Sequence, residues 1–409
     1  MPRRNPSSAL VVLASLLLLL LMLVEEGTCI KWLALGRASD GFEWTSEACS
    51  GARTSGLLER KQVRACRASP EIMRNLVQAA RDASSVCQYA FRHQLWNCSS
   101  IERAPDFTPE LLTGTKEQAF VYAMSAAAAV WRLARGCALG SLASCSCATP
   151  PRREPPAVTA ALVQTTMPFG PAAGGVTNTN NNGGAAAAAG GAGGGPGAAV
   201  ALGPTSSTRS AFKWGGCGDD VRSASRMAKR FLQAAGPGPG AGAQAKFIHA
   251  VNMHNNRAGR RAVEQSLSLE CKCHGVSGSC SVRTCWRGLG SASPAAAGAR
   301  LLRRYATALE VRPSSSGRLP PLYHHNNLLY TSKSPDYCVE DKRRGSLGTR
   351  ARQCNASSAG YDGCEHLCCG RGYNTRAEEV LERCDCKYFS CCYVKCKTCR
   401  NVIVTHECN

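Results

Sequence analysis

The residues best placed to do chemistry lie in one short run, Cys271-Lys-Cys273-His-Gly-Val-Ser277-Gly-Ser279-Cys280-Ser-Val-Arg-Thr-Cys285-Trp286. Its cysteines surround a tip of small residues. If the bridges nest, Cys271 with Cys285 and Cys273 with Cys280, the run becomes a stapled hairpin presenting Ser277. Gly275 and Gly278 permit positive φ and leave the hydroxyl open to approach from several sides. A serine so placed suits modification by another enzyme, which must close its own active site around the tip. Other readings compete. A plain turn would merely close a domain. A serine nucleophile would use Ser277 with His274 as base, and Gly275-Val-Ser277-Gly resembles part of a nucleophile elbow. Its second glycine, however, comes one place early, and no strand-turn-helix pattern surrounds it. A zinc site could use these cysteines, or Cys384, Cys386, Cys396 and Cys399, at plausible ligand spacing.

A second constellation is Cys384-Asp-Cys386-Lys-Tyr-Phe-Ser-Cys391-Cys392-Tyr-Val-Lys-Cys396-Lys-Thr-Cys399, nearly symmetric about the adjacent Cys391 and Cys392. Folding it there makes another stapled hairpin with Tyr388, Phe389 and Tyr393 at its tip. Aromatics on a rigid exposed tip suit a protein contact; otherwise they cover their own disulfides. Two sequons, Asn97-Cys-Ser99 and Asn355-Ala-Ser357, are candidate glycosylation sites, whereas Asn5 is followed by Pro. Basic residues cluster at Arg257, Arg260 and Arg261, at Arg300, Arg303 and Arg304, and at Lys342, Arg343 and Arg344. Each is either a solvated face or a polyanion contact.

The elements that must position these residues divide the chain unevenly. Arg3 and Arg4 precede an apolar run from Ala9 to Val24, and Gly27, Thr28 and Cys29 follow it. At about 16 residues that run is short for a bilayer span, so residues 1–29 are expected to be a secretory signal peptide. Of 25 cysteines, cleavage leaves 24, split evenly about a cysteine-free interval from Trp286 to Tyr337. An exported chain favours disulfides over zinc. The first half reads helical. A helix starts at Ser69-Pro70, with Ile72, Leu76, Ala80, Ala83, Cys87 and Ala90 on one face. A second opens at Thr115 with Gln118 completing a capping box, and runs to Gly136. A third is capped by Asp219 or Asp220, and a fourth covers roughly 245–270. Residues 155–208 carry no charge and are rich in Gly, Ala, Asn, Thr and Pro, which predicts a disordered insert; a smaller Gly/Pro insert covers 236–242.

From Cys338 to Cys408, 12 of 71 residues are cysteine, so cross-links worth ~2–4 kcal/mol each must supply order that a small core cannot. Short strands and turns are expected there. The fold class is α+β and disulfide-rich. Its parts are a helical N-terminal domain (30–322) bearing the Ser277 hairpin, a linker (323–337) and a cystine-rich β-hairpin domain (338–409). With 409 residues, 44% hydrophobic, and 49 Lys and Arg against 28 Asp and Glu, the chain is too apolar to be disordered, and a net charge of +21 with so many cysteines is unlike a cytosolic enzyme.

The Ser277 hairpin, Trp96-Asn97-Cys98-Ser99, Trp214-Gly-Gly-Cys217, Cys368-Cys369-Gly-Arg-Gly-Tyr373-Asn374 and the cysteine ladder after Cys384 together resemble the Wnt family of secreted signalling glycoproteins. The resemblance covers the mature chain outside the two inserts. Ile30-Lys-Trp-Leu-Ala-Leu35 and Ala119-Phe-Val-Tyr-Ala123 are most similar to the subgroup numbered eleven. It implies a palmitoleoyl chain on Ser277, no catalytic role, no cofactor beyond that covalent lipid, and no metal. Receptor contacts fall at two tips, Gly275, Val276, Ser277 and Gly278, and Tyr388, Phe389, Ser390, Cys391, Cys392 and Tyr393. The implied partners are the cysteine-rich domain of a Frizzled receptor, co-receptors, a membrane O-acyltransferase and an export carrier. Outside the cell the polyanion would be heparan sulfate proteoglycan, not nucleic acid. Secretion to the extracellular space and matrix, and roles in patterning, cell polarity and movement, follow from the same likeness.

The family pattern pairs Cys87 with Cys98, Cys137 with Cys145, and Cys147 with Cys217. It also pairs Cys338 with Cys369, Cys354 with Cys364, Cys368 with Cys408, Cys384 with Cys399, Cys386 with Cys396, and Cys391 with Cys392. Cys49 and Cys66 remain and are assigned to each other. One departure stands out: the family usually has Trp before the adjacent cysteines, and this chain has Ser390. The competing functions are a secreted hydrolase using Ser277 and an extracellular-matrix structural protein.

Overall fold

Residues 30–150, 212–233, 242–280, 282–290, 293–313, 323–390 and 392–409 are described by the structure, a computed structural model. The expected signal peptide, the uncharged insert, residues 236–241 of the smaller insert and Cys391 lie outside them. The chain divides into two units. One comprises Met1–Pro150, Gly215–Cys271 and Cys285–Asn409; the other comprises Pro151–Trp214 and Lys272–Thr284.

The helical part of the first unit contains α1 (Ser46–Thr54), α2 (Arg60–Ala68), α3 (Glu71–Phe91), α4 (Lys116–Ala138), α5 (Val221–Leu232), α6 (Ala243–Glu264) and α7 (Pro294–Ala306). Helix α4 is buried all round from Glu117 to Val130, which suits an alanine-rich helix at the centre of a bundle. Helices α3, α5, α6 and α7 pack against it. Small residues make this possible. A Cβ on Gly259 of α6 would sit 1.9 Å from the Ala123 carbonyl oxygen, and one on Gly298 of α7 would sit 2.3 Å from Val86 Cγ1. Where space remains, rings fill it edge to face: Phe91 lies 4.9 Å from Trp96, 4.8 Å from Phe120 and 4.9 Å from Tyr305.

The helix ends show which local signals were used as expected. Thr115 Oγ1 accepts from the Gln118 amide, but the Gln118 side chain reaches back to the Gly114 amide rather than that of Thr115, so the box closes one residue early. Asp220 caps α5 through the Ser223 amide; Asp219 turns inward instead. Helix α6 stops at Glu264, short of the expected 270, because Ser268–Cys273 is drawn into a strand. Helix α7, capped by Ser293 with Pro at its first turn, occupies part of the cysteine-free interval.

The strands are β1 (Lys213–Trp214), β2 (Ser268–Cys273), β3 (Arg283–Gly288), β4 (Leu309–Glu310), β5 (Leu329–Tyr330), β6 (Glu340–Asp341), β7 (Ser346–Leu347), β8 (Gln353–Cys354), β9 (Tyr373–Phe389) and β10 (Tyr393–Cys408). The expectation of only short strands after Cys338 is corrected. Strands β9 and β10 form a ribbon of 17 and 16 residues, registered from Tyr393 opposite Phe389 to Cys408 opposite Tyr373. A two-stranded ribbon alone is marginal in water. Here disulfide rungs Cys384–Cys399 and Cys386–Cys396 cross-link it, and Cys368–Cys408 ties its base to the short helix α8 (Cys364–Leu367) and the residue after it.

Within this unit the segment expected as a linker is well tied down. The Asn255 side chain brackets Leu329, donating to its carbonyl and accepting from its amide, both at 2.9 Å. The Thr331 amide donates to the Gly114 carbonyl at 2.7 Å, and Ser334 Oγ donates to the buried Glu117 carboxylate at 2.7 Å. Arg352 donates to the carbonyls of Leu95 and Arg92. Gly345, at φ +75°, lies against the carboxylate of Glu110. That carboxylate is fully buried, bonded to Thr108 Oγ1, and forms no ion pair among the described residues. Burial, reinforced by the Glu117 carboxylate nearby, pushes its pKa up.

Two outcomes follow. Gly259→Ala should destabilise the chain by about 1–3 kcal/mol through overpacking, whereas Gly51→Ala, with nothing within 4 Å, should be neutral or stabilising by up to about 1 kcal/mol; thermal unfolding of both variants checks this. Because the folded-state pKa of Glu110 is raised, its contribution is fully present below about pH 4.5 and is lost as pH rises through the folded value. Glu110→Gln should flatten that decline in a series of unfolding midpoints from acidic to neutral pH.

Candidate receptor-contact tips

The first hairpin begins with anchorage in the larger unit. Cys271 and Cys285 are disulfide-bonded across β2 and β3, with Cα atoms 4.1 Å apart. Trp286 Nε1 donates to Glu270 Oε2 at 3.1 Å. The indole lies against Gly216, which has φ +87° and where a Cβ would fall 2.7 Å from the ring. The Gly215 amide donates to the Cys285 carbonyl, and the Asp219 amide to that of Arg287. Asp219, almost fully buried, accepts from the Leu289 amide at 2.8 Å and from Arg135 of α4 at 3.3 Å. Gly216 therefore has a steric purpose: only a residue without Cβ fits beneath the ring. Cys217, between them and Asp219, is bonded to Cys147.

The smaller unit holds the tip. Cys273 and Cys280 close it by a disulfide across a sequence separation of 7. Inside, the His274 amide donates to the Val282 carbonyl at 2.7 Å and the Gly275 amide to the Ser279 carbonyl at 2.8 Å. The Gly278 amide then donates to the Gly275 carbonyl, turning the chain through a single 3-10 turn, Val276–Gly278. Of the two glycines that permit positive φ, only Gly278 uses it, at φ +77°; Gly275 is extended at φ −72°, and the other left-handed position is Ser277 at φ 55°. A left-handed serine costs roughly 1–2 kcal/mol, which the bridge and turn bonds must offset. Val276, Ser277 and Gly278 are exposed, Val276 by 90%. His274 Nε2 is engaged by Thr284 Oγ1 at 2.7 Å, so it is not poised as a base for Ser277.

The second tip ends the β9–β10 ribbon. Phe389 and Tyr393 stack with centroids 5.3 Å apart and planes at 14°, forming a flat exposed platform; Tyr388, 71% exposed, and its cross-strand partner Val394 alternate to the other face of the ribbon. Ser390 is exposed next to it. Cys392 has φ 78°, is exposed, and has no disulfide among the described residues; its expected partner Cys391 lies outside them. The zinc alternative loses its ligands at both hairpins, since all its sulfurs are in disulfides. The other bridges are Cys49–Cys66, Cys87–Cys98, Cys137–Cys145, Cys338–Cys369 and Cys354–Cys364.

Both sequons sit in side-chain-closed turns. Asn97 Oδ1 accepts from the Ser99 amide, and Asn355 Oδ1 accepts from the Ser357 amide and hydroxyl. Asn97 is half-buried and Asn355 exposed. The basic triplets are less free than their sequence suggests. Arg260 is buried, Arg300 and Arg304 donate to Gln265, and Lys342 and Arg344 pair with Glu340 and Asp341.

Residues 54–409 match the family model of the wnt family. The chain belongs to the Wnt family. It is 35% identical to Xenopus tropicalis Wnt-11b-2 over 93% of this chain and 94% of that protein, and 35% identical to Bos taurus Wnt-16 over 92% and 91%. A solved structure of human WLS in complex with WNT8A matches with a TM-score of 0.51 at 27% identity, over 82% of this chain and 94% of that one. Wnt proteins are secreted signalling ligands rather than enzymes, and the mixed helical and cystine-rich β architecture of this chain is theirs.

Removal of the tip bridge checks what it does. In a Cys273→Ala/Cys280→Ala variant, amide exchange at Gly275, Gly278 and Ser279 should accelerate by at least about ten-fold, while amides of α4 stay protected. Hydrogen exchange read by mass spectrometry resolves the two regions.

Proposed function

We propose that this Wnt chain is a secreted, Ser277-acylated ligand of Frizzled receptors that grips the receptor with two tips. The observation carrying this reading is the exposed Ser277 at the apex of a cross-linked turn, flanked by Val276 and Gly278, with the nearby His274 imidazole engaged by Thr284 instead. An O-acyltransferase would move a palmitoleoyl group from an acyl thioester to Ser277 Oγ. The C–O bond forms as the C–S bond breaks, and the hydroxyl proton leaves with the thiol. At ~0.8 kcal/mol per buried CH₂, the chain offers on the order of 10 kcal/mol of gross burial when it enters an apolar groove of the receptor's cysteine-rich domain. The same chain in water requires a carrier during export, the role assigned here to the class of partner present in the WLS complex of WNT8A.

The second tip adds Tyr388, Phe389, Ser390, Cys391, Cys392 and Tyr393, with the Phe389–Tyr393 stack taking the place of the Trp that Ser390 replaces. Asn97 and Asn355 carry glycans, and the 338–409 module presents the second tip while 30–322 presents the first. Co-receptors and sulfated proteoglycans complete the partners, and the ligand acts in the extracellular space and matrix, directing polarity and movement. The hydrolase alternative is not favoured, because the imidazole it needs is held by Thr284.

The test is the mass of the Ser277 peptide from secreted protein, before and after ester cleavage, together with export and receptor activation by Ser277→Ala. An added acyl mass, lost on ester cleavage, and an unexported or inactive variant are expected. Normal export of an active Ser277→Ala protein ends the proposal.

A further inference from the structure

Two helices of the bundle expose cations and no other charged side chain. Helix α2 buries Gln62, Val63 and Cys66 and exposes Arg60, Lys61, Arg64 and Arg67. Helix α5 buries Val221, Ala224, Ala228 and Phe231 and exposes Arg222, Arg226, Lys229 and Arg230. The two helices pack side by side although more than 150 residues separate them in the chain. Every exposed charge on either helix is therefore positive. None of these cations forms an ion pair among the described residues; Arg67 donates to Ser50 and Arg226 to Ser223. The carboxylates flanking the two helices are Glu59 before α2, Glu71 at the start of α3 and Asp220 capping α5, with Glu47 of α1 close to Arg67. Lys61 adjoins His249 of α6, which extends the basic character to a third helix.

We propose that the paired outer faces of α2 and α5 form a docking track for a sulfated polysaccharide chain. Along α2, Arg60, Arg64 and Arg67 fall on one file, and along α5 so do Arg222, Arg226 and Lys229; each file runs about 10 Å. Six of the eight cations are arginines, whose planar forks match the oxygens of a sulfate group. An anionic bilayer is the less fitting occupant. Membrane-surface helices insert an apolar face, and here the apolar faces of both helices are committed to the core, with no large exposed hydrophobic side chain on either. The sequence triplets offer fewer unpaired cations: Arg260 is buried, Arg300 and Arg304 donate to Gln265 and Ala258, and Lys342 and Arg344 pair with Glu340 and Asp341. This track refines the proposed extracellular ligand by assigning its proteoglycan contact to residues other than those of the two tips.

The experiment measures binding of full-length secreted protein to immobilised heparin over a salt series. Two variants carry it: Arg60→Gln/Lys61→Gln/Arg64→Gln/Arg67→Gln and Arg222→Gln/Arg226→Gln/Lys229→Gln/Arg230→Gln. Glutamine preserves helix propensity, and either variant suffices if the other is not secreted. A control variant is Arg257→Gln/Arg261→Gln/Arg303→Gln. Each helix variant should weaken binding near physiological salt by about ten-fold or more and lower the slope of log Kd against log salt, while the control stays within about two-fold. Unchanged affinity in the helix variants, an equal loss in the control, or binding of the parent to anionic phospholipid vesicles but not to heparin overturns the track. The acyl mass on the Ser277 peptide, measured on the same samples, reports separately on the ligand reading.

Discussion

The bridge between Cys273 and Cys280 encloses a turn in which a serine, not a glycine, takes the left-handed conformation. That constraint governs the exposed chemistry of the molecule. The tip has no apolar core to hold it, and Val276, the one large hydrophobe in the turn, faces solvent. Covalent closure and four short-range backbone bonds replace burial, so the hydroxyl keeps its position without a groove around it. The same substitution of cross-links for core recurs in the β9–β10 ribbon, where disulfide rungs lie below the stacked pair Phe389–Tyr393. A ribbon with nearly every side chain exposed would otherwise fray.

The interior follows the opposite rule. Helix α4 is surrounded by other helices, and contacts as close as Gly259 against Ala123 leave no room for larger residues. Polar groups that enter this interior are given definite work. Asp219 joins Arg135 of α4 to the backbone at Leu289, and Glu117 accepts from Tyr305 and Ser334. Burial beside that carboxylate raises the phenol pKa of Tyr305 well above its ordinary value, so the ring remains a hydrogen-bond donor. Through Ser334, Thr331 and Leu329, the segment between the helical and cystine-rich regions is bonded to the bundle.

Much of the candidate site was legible because its determinants are local or covalent. Cysteine spacing marked both hairpins, and apolar periodicity marked α3. What escaped depended on partners distant in sequence. Nothing near Gly275 or Ser277 says which of them turns left-handed; the Gly275–Ser279 bond within the closed loop decides it. Gln118 was recognisable as a capping residue, yet its acceptor reached Gly114. The length of β9 and β10 was missed because charged, exposed strands lack the alternation that signals a half-buried sheet. The all-basic exposed positions of α2 and α5 follow the helical period, so each half of the cationic face is written in the sequence, though not their union.

The amino-acid sequence by itself determined the compartment-compatible cysteine content, the helices with strong apolar stripes, the two stapled tips and membership in the Wnt family, because each is written in residue types at short, regular intervals. Tertiary structure alone decided which arginines remain available, why Gly216 must lack a side chain beneath Trp286, and how Asp219 and Asp220 divide their roles. Those outcomes depend on which segments come within a few ångströms of each other. Packing of distant segments sets that proximity, and hydrogen bonding and desolvation then act on whatever groups it brings together.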